Sequence, residues 1–416
     1  MPPLRILICG GGCAGPALAF WLARAGHDIT ICERSSALRA TGAQIDLRAQ
    51  GINVVKRMGL LPTIRRHLVE EDGVAFVDSQ GKVKATLLAN KSGKGAQSAT
   101  SEYEIMRGDL VRILYEATTM DNVHYMFGVT VESFEQDDKH VVAHFSDHTT
   151  GTYDLLVGAD GQGSRIRKAI LPPDAPNPYR RLGLNIAYYF IPGSPETYAR
   201  IRPTYHAGRG RLIFRRSHND TETQIYLFYR NHDNDAAEME AMLRASPDQQ
   251  KQYWTSRFKD AGWQTPIFLE GMKTTQNWYC QEVVQVKTDT WSKGRVVLLG
   301  DAAHCPSPFS GMGTTGSFVG AYVLAGEICQ NSEDLPRAFQ RYDEVLRPFV
   351  NEIQKINPWF VKLALPETAW GVAILHFVVG LICWLRIPQL VARFSSEEKG
   401  GWKVPEYPEL KYGEKS

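Results

Sequence analysis

Hydrophobic and polar positions follow two different rhythms along this chain, and the rhythm changes near residue 181. Residues 4–34, LRILICGGGCAGPALAFWLARAGHDITICER, pass from an unbroken apolar stretch through clustered glycines into apolar positions at helical spacing, then into a second apolar stretch closed by an acid. That order predicts strand, turn, helix, strand. Residues 39–51 (RATGAQIDLRAQG) predict an irregular loop feeding the helix of INVVKRMGLLPTI, and VAFVDS and KVKATLL predict short strands before the polar loop KSGKGAQSAT at 91–100. EIMRGDLVRILYEAT predicts a helix starting at Glu104, with Asp109 favouring its positive end, and VHYMFGVTVESFEQ, HVVAHFSD and TYDLLVGAD predict β structure. From about 181 to 280, GLNIAYYFIP, GRGRLIFRRS and TQIYLFYR alternate with aromatic residues on both parities. They predict a sheet with one face on a core and the other covering something apolar.

The glycine cluster carries chemistry. Gly10, Gly12 and Gly15 have the GxGxxG spacing, which supplies a tight turn, a close backbone approach to a pyrophosphate and close helix–strand packing. Pro16 sits just inside the helix, where its missing N–H has no intrahelical partner in any case. Glu33, 23 positions after Gly10, ends the second strand, where a carboxylate accepts hydrogen bonds from a ribose diol. An acid there points to an ADP ribose without a 2′-phosphate, hence FAD or NAD.

Composition narrows the function classes. The 416 residues, 43% apolar, suffice for two or three domains. With 47 Lys and Arg against 45 Asp and Glu, the net charge of +2 offers no global attraction to nucleic acid or acidic membranes. The seven cysteines are scattered without metal-like CxxC pairs, so no metal site is expected and a reducing, cytoplasmic setting is. Cys9 and Cys13 straddle the glycine turn as CxxxC, a weak candidate redox pair. The first strand starts within four residues of Met1, leaving no room for a signal peptide.

Two later segments complete the pattern: YDLLVGADGQGSRIR at 153–167, and GRVVLLGDAAHCPSPFSGMG at 294–313. The second places Asp301 at the end of an apolar strand and sets Pro306, Pro308, Gly311 and Gly313 before an apolar helix whose N-terminus favours negative charge. With the opening GGGCAG, these motifs resemble the single-component FAD-dependent monooxygenases (aromatic hydroxylases), and within them the branch of tetracycline-inactivating monooxygenases and secondary-metabolite hydroxylases. The resemblance covers about residues 4–345. It implies an α/β fold: a Rossmann-like FAD-binding domain (1–180 and 281–345), an inserted mixed or antiparallel β-sheet substrate domain (181–280, with 72–100 as a candidate contributor) and a C-terminal helical region (346–416).

By residue, the resemblance assigns cofactor binding to Gly10, Gly12, Gly15, Glu33, Arg34, Asp46, Arg107, Asp160, Asp301, Gly311, Gly313 and Thr314, with Arg48, Arg165 and Arg167 nearby. Tyr188, Tyr226 and Phe228 are substrate-pocket candidates. Thr315 and Gly320 stand where the family usually has an Asn and an acid, and Tyr188 and Tyr189 stand in a strand where some relatives carry an arginine. His304 reads as a structural partner rather than a base.

Only one dinucleotide-binding unit is visible, so NADPH or NADH is expected as a transient donor. The implied reaction is hydroxylation or epoxidation of a small apolar aromatic or conjugated metabolite with O₂, through a flavin C4a-hydroperoxide. No separate catalytic residue is assigned. Secondary-metabolite biosynthesis or xenobiotic breakdown is the expected setting. Competing readings are an FAD-dependent reductase or dehydrogenase of a lipophilic substrate, a flavin halogenase (whose WxWxIP segment is absent), and a non-catalytic flavin-binding partner protein. Six arginines between 200 and 216 form a basic patch that either attracts NADPH phosphates or an anionic substrate, or is a solvated strand edge. The 17 residues 369–385 contain no Asp, Glu, Lys or Arg, short of the roughly 20 needed to span a bilayer, with Arg386 and Arg393 beyond. Either they pack across both domains or they make a peripheral membrane contact.

Overall fold

The computed structural model describes residues 3–38, 42–89, 102–119, 122–193, 199–217, 219, 221–232, 236–357, 359–385, 387 and 399–410. The loop expected at 91–100 and the residues Arg386 and Arg393 lie outside these. Strand Arg5–Cys9 is flanked by Asp28–Glu33 and then Val123–Phe127 on one side, and by Leu155–Gly158, Val296–Leu298 and Ser292–Lys293 on the other. All neighbours run parallel except the last pair. A parallel sheet is covered on both faces, which is why RILIC and LLVG are solidly apolar rather than alternating. Helices Ala14–Arg24 and Gly313–Gln330 pack against each other and are buried along most of their length.

The second sheet has seven strands in the order Tyr279–Val286, Tyr179–Pro192, Glu222–Arg230, Arg211–Ser217, Ile201–Gly208, Gly73–Val77, Val83–Leu88. It is antiparallel apart from the pairing of Ile201–Gly208 with Gly73–Val77. Alternation sends Ala187, Tyr189, Ile225 and Leu227 into a core with Trp254, Phe258 and Phe268 of the helices Pro247–Phe258 and Thr265–Thr274. It sends Ile186, Tyr188, Tyr226 and Phe228 to the opposite face, which meets Phe309 and Val361. Aromatic residues on both parities therefore serve two different interiors. The chain is an α/β protein with a dinucleotide-type parallel sheet, a mixed second sheet and a helical C-terminal region, as its sequence predicts.

Three local expectations are corrected. The helix read from Glu104 begins at Arg107, because Glu104–Met106 is a fully buried strand paired antiparallel with Gln44–Asp46, itself expected to be loop. Most of the arginine patch is internally neutralised: Arg200 pairs with Glu70 and Asp72, Arg202 and Arg216 with Glu71, and Arg209 and Arg211 with Asp260. Arg202 and Arg216 are almost wholly enclosed and their strands lie inside the sheet, so the patch is no solvated edge, and the arginines left exposed, Arg200 and Arg209, face carboxylates. Finally, the Cys9 thiol lies beside Cys32, its partner across two parallel strands, and contact with that thiol together with burial pushes it well above the ordinary range. That makes it a poor redox partner for Cys13.

The apolar run at 369–385 forms the helix Ala369–Trp384, started by Thr368 capping Gly371 N–H. None of its residues is buried, although it packs beside strand Val83–Leu88 and His376 meets His206 at 3.2 Å. It does not lie enclosed between two domains. Among the described residues no helix is long and apolar enough to cross a membrane.

Candidate active site

The glycine turn closes as its spacing requires. Gly10 adopts a φ of +118° and lies so near Ala159 that any side chain would collide with that carbonyl. Helix Ala14–Arg24 starts at Cys13 with no side-chain cap, leaving its first amides without intrahelical partners. Glu33 projects onto the turn, its two oxygens accepting from Gly11 N–H and Ser35 N–H, each at 2.9 Å. A carboxylate has further lone pairs, so this anchoring still leaves it an acceptor for a diol. Arg34, the next residue, is exposed.

Two charges from distant segments meet this turn. The guanidinium of Arg107 stands 3.5 Å from where a Cβ on Gly12 would be, and its stem lies against Gly42. Burial raises the carboxyl of Asp301, while a hydrogen bond with Cys305 and the charge of Arg107 pull it back down. Asp160 is exposed, and its carboxylate accepts from Arg165 N–H at 2.7 Å, capping the helix Arg165–Ile170. Arg167, which sequence alone treats as a nearby cation, is fully buried. It donates to the carbonyls of Ala302 (2.8 Å) and Gln162 (2.5 Å) and to Tyr179 Oη (2.8 Å), tying the two later motifs together.

The loop after Asp301 completes the arrangement. Ser307 has a φ of +81° and Ala49, on the facing loop, +46°; both are non-glycine residues in a region that costs of order 1–3 kcal/mol each. Strain of this kind persists where surrounding contacts hold it. Asp46 and Arg48, 3.2 Å apart, press against Gly311, where a Cβ would sit 3.2 Å from Asp46 Oδ2. Thr315 explains its own departure from the family pattern: its hydroxyl accepts from Arg48 N–H (3.0 Å) and donates to Arg48 O (2.9 Å), clasping this loop to helix Gly313–Gln330. That helix has no side-chain cap, so the amides of Gly313 and Thr314 at its start are free to donate. Gly320 makes room for His304, where a Cβ would lie 3.4 Å from Nε2. His304 is buried beside Tyr342 and Trp291, and burial pushes it down to about 4, which fits a structural rather than a basic role.

Above the loop lies the aromatic face of the second sheet. Tyr188 donates to Gly42 O at 2.9 Å, Tyr226 accepts from Gln44 N–H at 3.3 Å and donates to Gln224 Oε1 at 3.0 Å. Burial is the main cause raising both phenols, Tyr226 to about 12, so they stay protonated donors. They tie the seven-stranded sheet to Gly42 and to the strand Gln44–Asp46, whereas Phe228 faces Phe309 across 6.2 Å and Phe214 across 5.2 Å. Behind them lies a group that sequence reasoning missed: Glu104 and Glu71 with Arg216 and Arg202, all nearly enclosed. The acidic run VEED and the EIM triplet look like surface positions until strand pairing turns Glu104 inward.

These residues fit an FAD. A Cβ at Gly161, Gly163 or Gly313 would meet nothing within 4 Å, two uncapped helix starts offer amides to phosphate and ring, and Glu33, Arg107 and Asp301 line the space between. Residues 4–350 match the FAD binding domain family, and the chain belongs to it. It is 38% identical to the FAD-dependent monooxygenase asL4 of Sarocladium schorii over 99% of both chains. It is also 38% identical to the flavin-dependent monooxygenase eupH of a Phoma species over 98% of each. The crystal structure of tetracycline destructase Tet(51) superposes with a TM-score of 0.75 at 30% identity, covering 98% of this chain and all of that one. The protein is an FAD-dependent monooxygenase.

Proposed function

We propose that this monooxygenase takes its electrons from NADPH or NADH and hydroxylates or epoxidises a small apolar aromatic or conjugated metabolite of secondary metabolism. The observation that carries the reading is the apolar face of Phe214 and Phe228, which meets Phe309 of the loop Pro308–Gly313, with Tyr188, Tyr226 and Gln224 as hydrogen-bonding fixtures and Arg202 and Arg216 stacked on Phe214. Gly10, Gly12, Gly15 and Glu33 would hold the adenosine diphosphate half of the cofactor, and Asp160 and Asp301 its ribityl region. Arg107, Asp46, Gly311, Gly313 and Thr314 would hold and polarise its ring end. Bound FAD supplies the two-electron and O₂ chemistry. The chain excludes water, orients the substrate against the loop and presents donors where negative charge builds up.

Anaerobic addition of NADPH or NADH to the yellow protein should bleach the flavin, and readmitted O₂ should be consumed into product only with the right aromatic substrate. A flavin that neither donor bleaches refutes the reading. Three exposed residues of helix Ala369–Trp384 add a partner: Trp370 (69% exposed), Phe377 (72%) and Trp384 (77%). They support a peripheral contact with a membrane surface, near which an apolar substrate concentrates.

A further inference from the structure

Gln44–Asp46 and Glu104–Met106 form a two-stranded antiparallel ladder in which Asp46 and Glu104 are direct partners. Their side chains share one face of it, and the Glu104 charge acts on the Asp46 carboxyl. Two carboxylates side by side repel, so one of them gains by holding a proton. Asp46 is the one that reaches solvent, its side chain 23% exposed against 2% for Glu104. It also reaches the loop: a Cβ on Gly311 would sit 3.2 Å from its Oδ2. Glu104, on the same face of the ladder, is also held by Gln44 and, at 3.7 Å, by Arg216.

We propose that Asp46 is the proton donor of this active site, taking a proton from solvent and delivering it at the loop Pro308–Gly313, with Glu104 as its positioning partner. The inference rests on the monooxygenase reading above, whose stoichiometry it uses. Substrate C–H, O₂, NAD(P)H and one proton become substrate C–OH, water and NAD(P)⁺, so each turnover consumes one proton at the oxygen that leaves as water. The Asp46 O–H bond breaks, that oxygen gains the hydrogen, and the carboxylate left behind is reprotonated from bulk water.

The electrostatics agree in direction. Burial raises Asp46 most, the Glu104 charge and hydrogen bond add to it, and Arg48 and Arg216 oppose, leaving the group at about 6, near the pH at which a general acid works. The segment Pro308–Gly313 brings no charged side chain to it.

The test uses the holoenzyme without substrate or reductant. Infrared titration of the protonated-carboxyl stretch should show a group with a midpoint near 6 that is lost in Asp46→Asn. In Glu104→Gln the same midpoint should fall by about one unit, because a like charge has gone. A band that persists in Asp46→Asn, or a midpoint that does not move in Glu104→Gln, overturns the proposal.

Turnover gives a second readout. NADPH-driven product formation by Asp46→Ala, counted per bound FAD, should fall by about a hundredfold and should be restored in part by added acetate. Wild-type turnover in Asp46→Ala, or a loss that acetate leaves unrepaired, also overturns it. A protein whose flavin is never reduced by either donor refutes the proposed function instead, and leaves the infrared titration to be read separately.

Discussion

Replacing Thr315 by valine isolates one contact that this chain uses in place of the family's Asn. Valine keeps the volume of a fully buried side chain but removes the hydroxyl that accepts from Arg48 N–H and donates to Arg48 O. The carbonyl keeps a second donor, Gly51 N–H at 2.9 Å, so the principal loss is one amide left without its partner. Such a loss costs about 2 kcal/mol. Thr315→Ser gives the converse, keeping the hydroxyl and losing one buried methyl at about 1 kcal/mol.

Because Arg48 and Asp46 sit against Gly311, the freed loop should cost cofactor binding as well as stability. Fluorescence titration of apoprotein with FAD should show affinity falling by up to about 30-fold in Thr315→Val, the equivalent of 2 kcal/mol, and by less than about threefold in Thr315→Ser. Thermal melts of the apoproteins should rank them in the same order. Equal FAD affinity in the two variants, or a serine variant weaker than the valine one, would refute the clasp.

Glu33→Gln should weaken FAD binding by about tenfold or more without lowering the apoprotein melting temperature comparably, since a charged acceptor is worth about 1.5–3 kcal/mol; unchanged affinity in the same titration would show that the carboxylate only closes the turn. His304 is held neutral by burial, at about 4 against an ordinary value near 6.5. The unfolded chain therefore binds the extra proton first, and stability from this residue is present above pH 6.5 and lost as pH falls towards 4. Denaturant titrations should show the advantage of wild type over His304→Gln shrinking across that window by up to about 3 kcal/mol. Replacing Trp370, Phe377 and Trp384 together by serine should abolish co-sedimentation with phosphatidylcholine vesicles and leave FAD content intact; wild type that stays in the supernatant contradicts the membrane contact. Arg209→Glu should leave the KM for NADPH nearly unchanged, because its charge is already spent on Asp260.

What was legible in the sequence follows from how local each signal is. The strand, glycine turn, helix and acid of residues 4–34 form one contiguous unit, so Gly10, Gly15 and Glu33 declare themselves by spacing alone. Asp301 and Gly311 entered the same reading through their motif, whereas Arg107 entered it through the family resemblance alone. What stayed hidden depends on pairings between segments far apart in the chain. Glu104 looks like a helix start until Gln44–Asp46 pairs with it, and the arginines of 200–216 look like a patch until Glu70, Glu71, Asp72 and Asp260 meet them. Arg167 has the composition of a surface cation and the position of an internal tie. The aromatic parity of 181–280 told that two faces were apolar but not which one the loop Pro308–Gly313 would meet.

The account depends on residues from the glycine turn, from Arg107 and from the Asp301–Thr315 stretch enclosing one flavin. Titrating FAD into folded apoprotein, with absorbance and calorimetry read together, tests this most directly. One FAD per chain, with affinity reduced at least tenfold by either Arg107→Ala or Asp301→Ala, is the predicted result. A folded apoprotein that stays colourless with excess FAD, or binding indifferent to both substitutions, would contradict it.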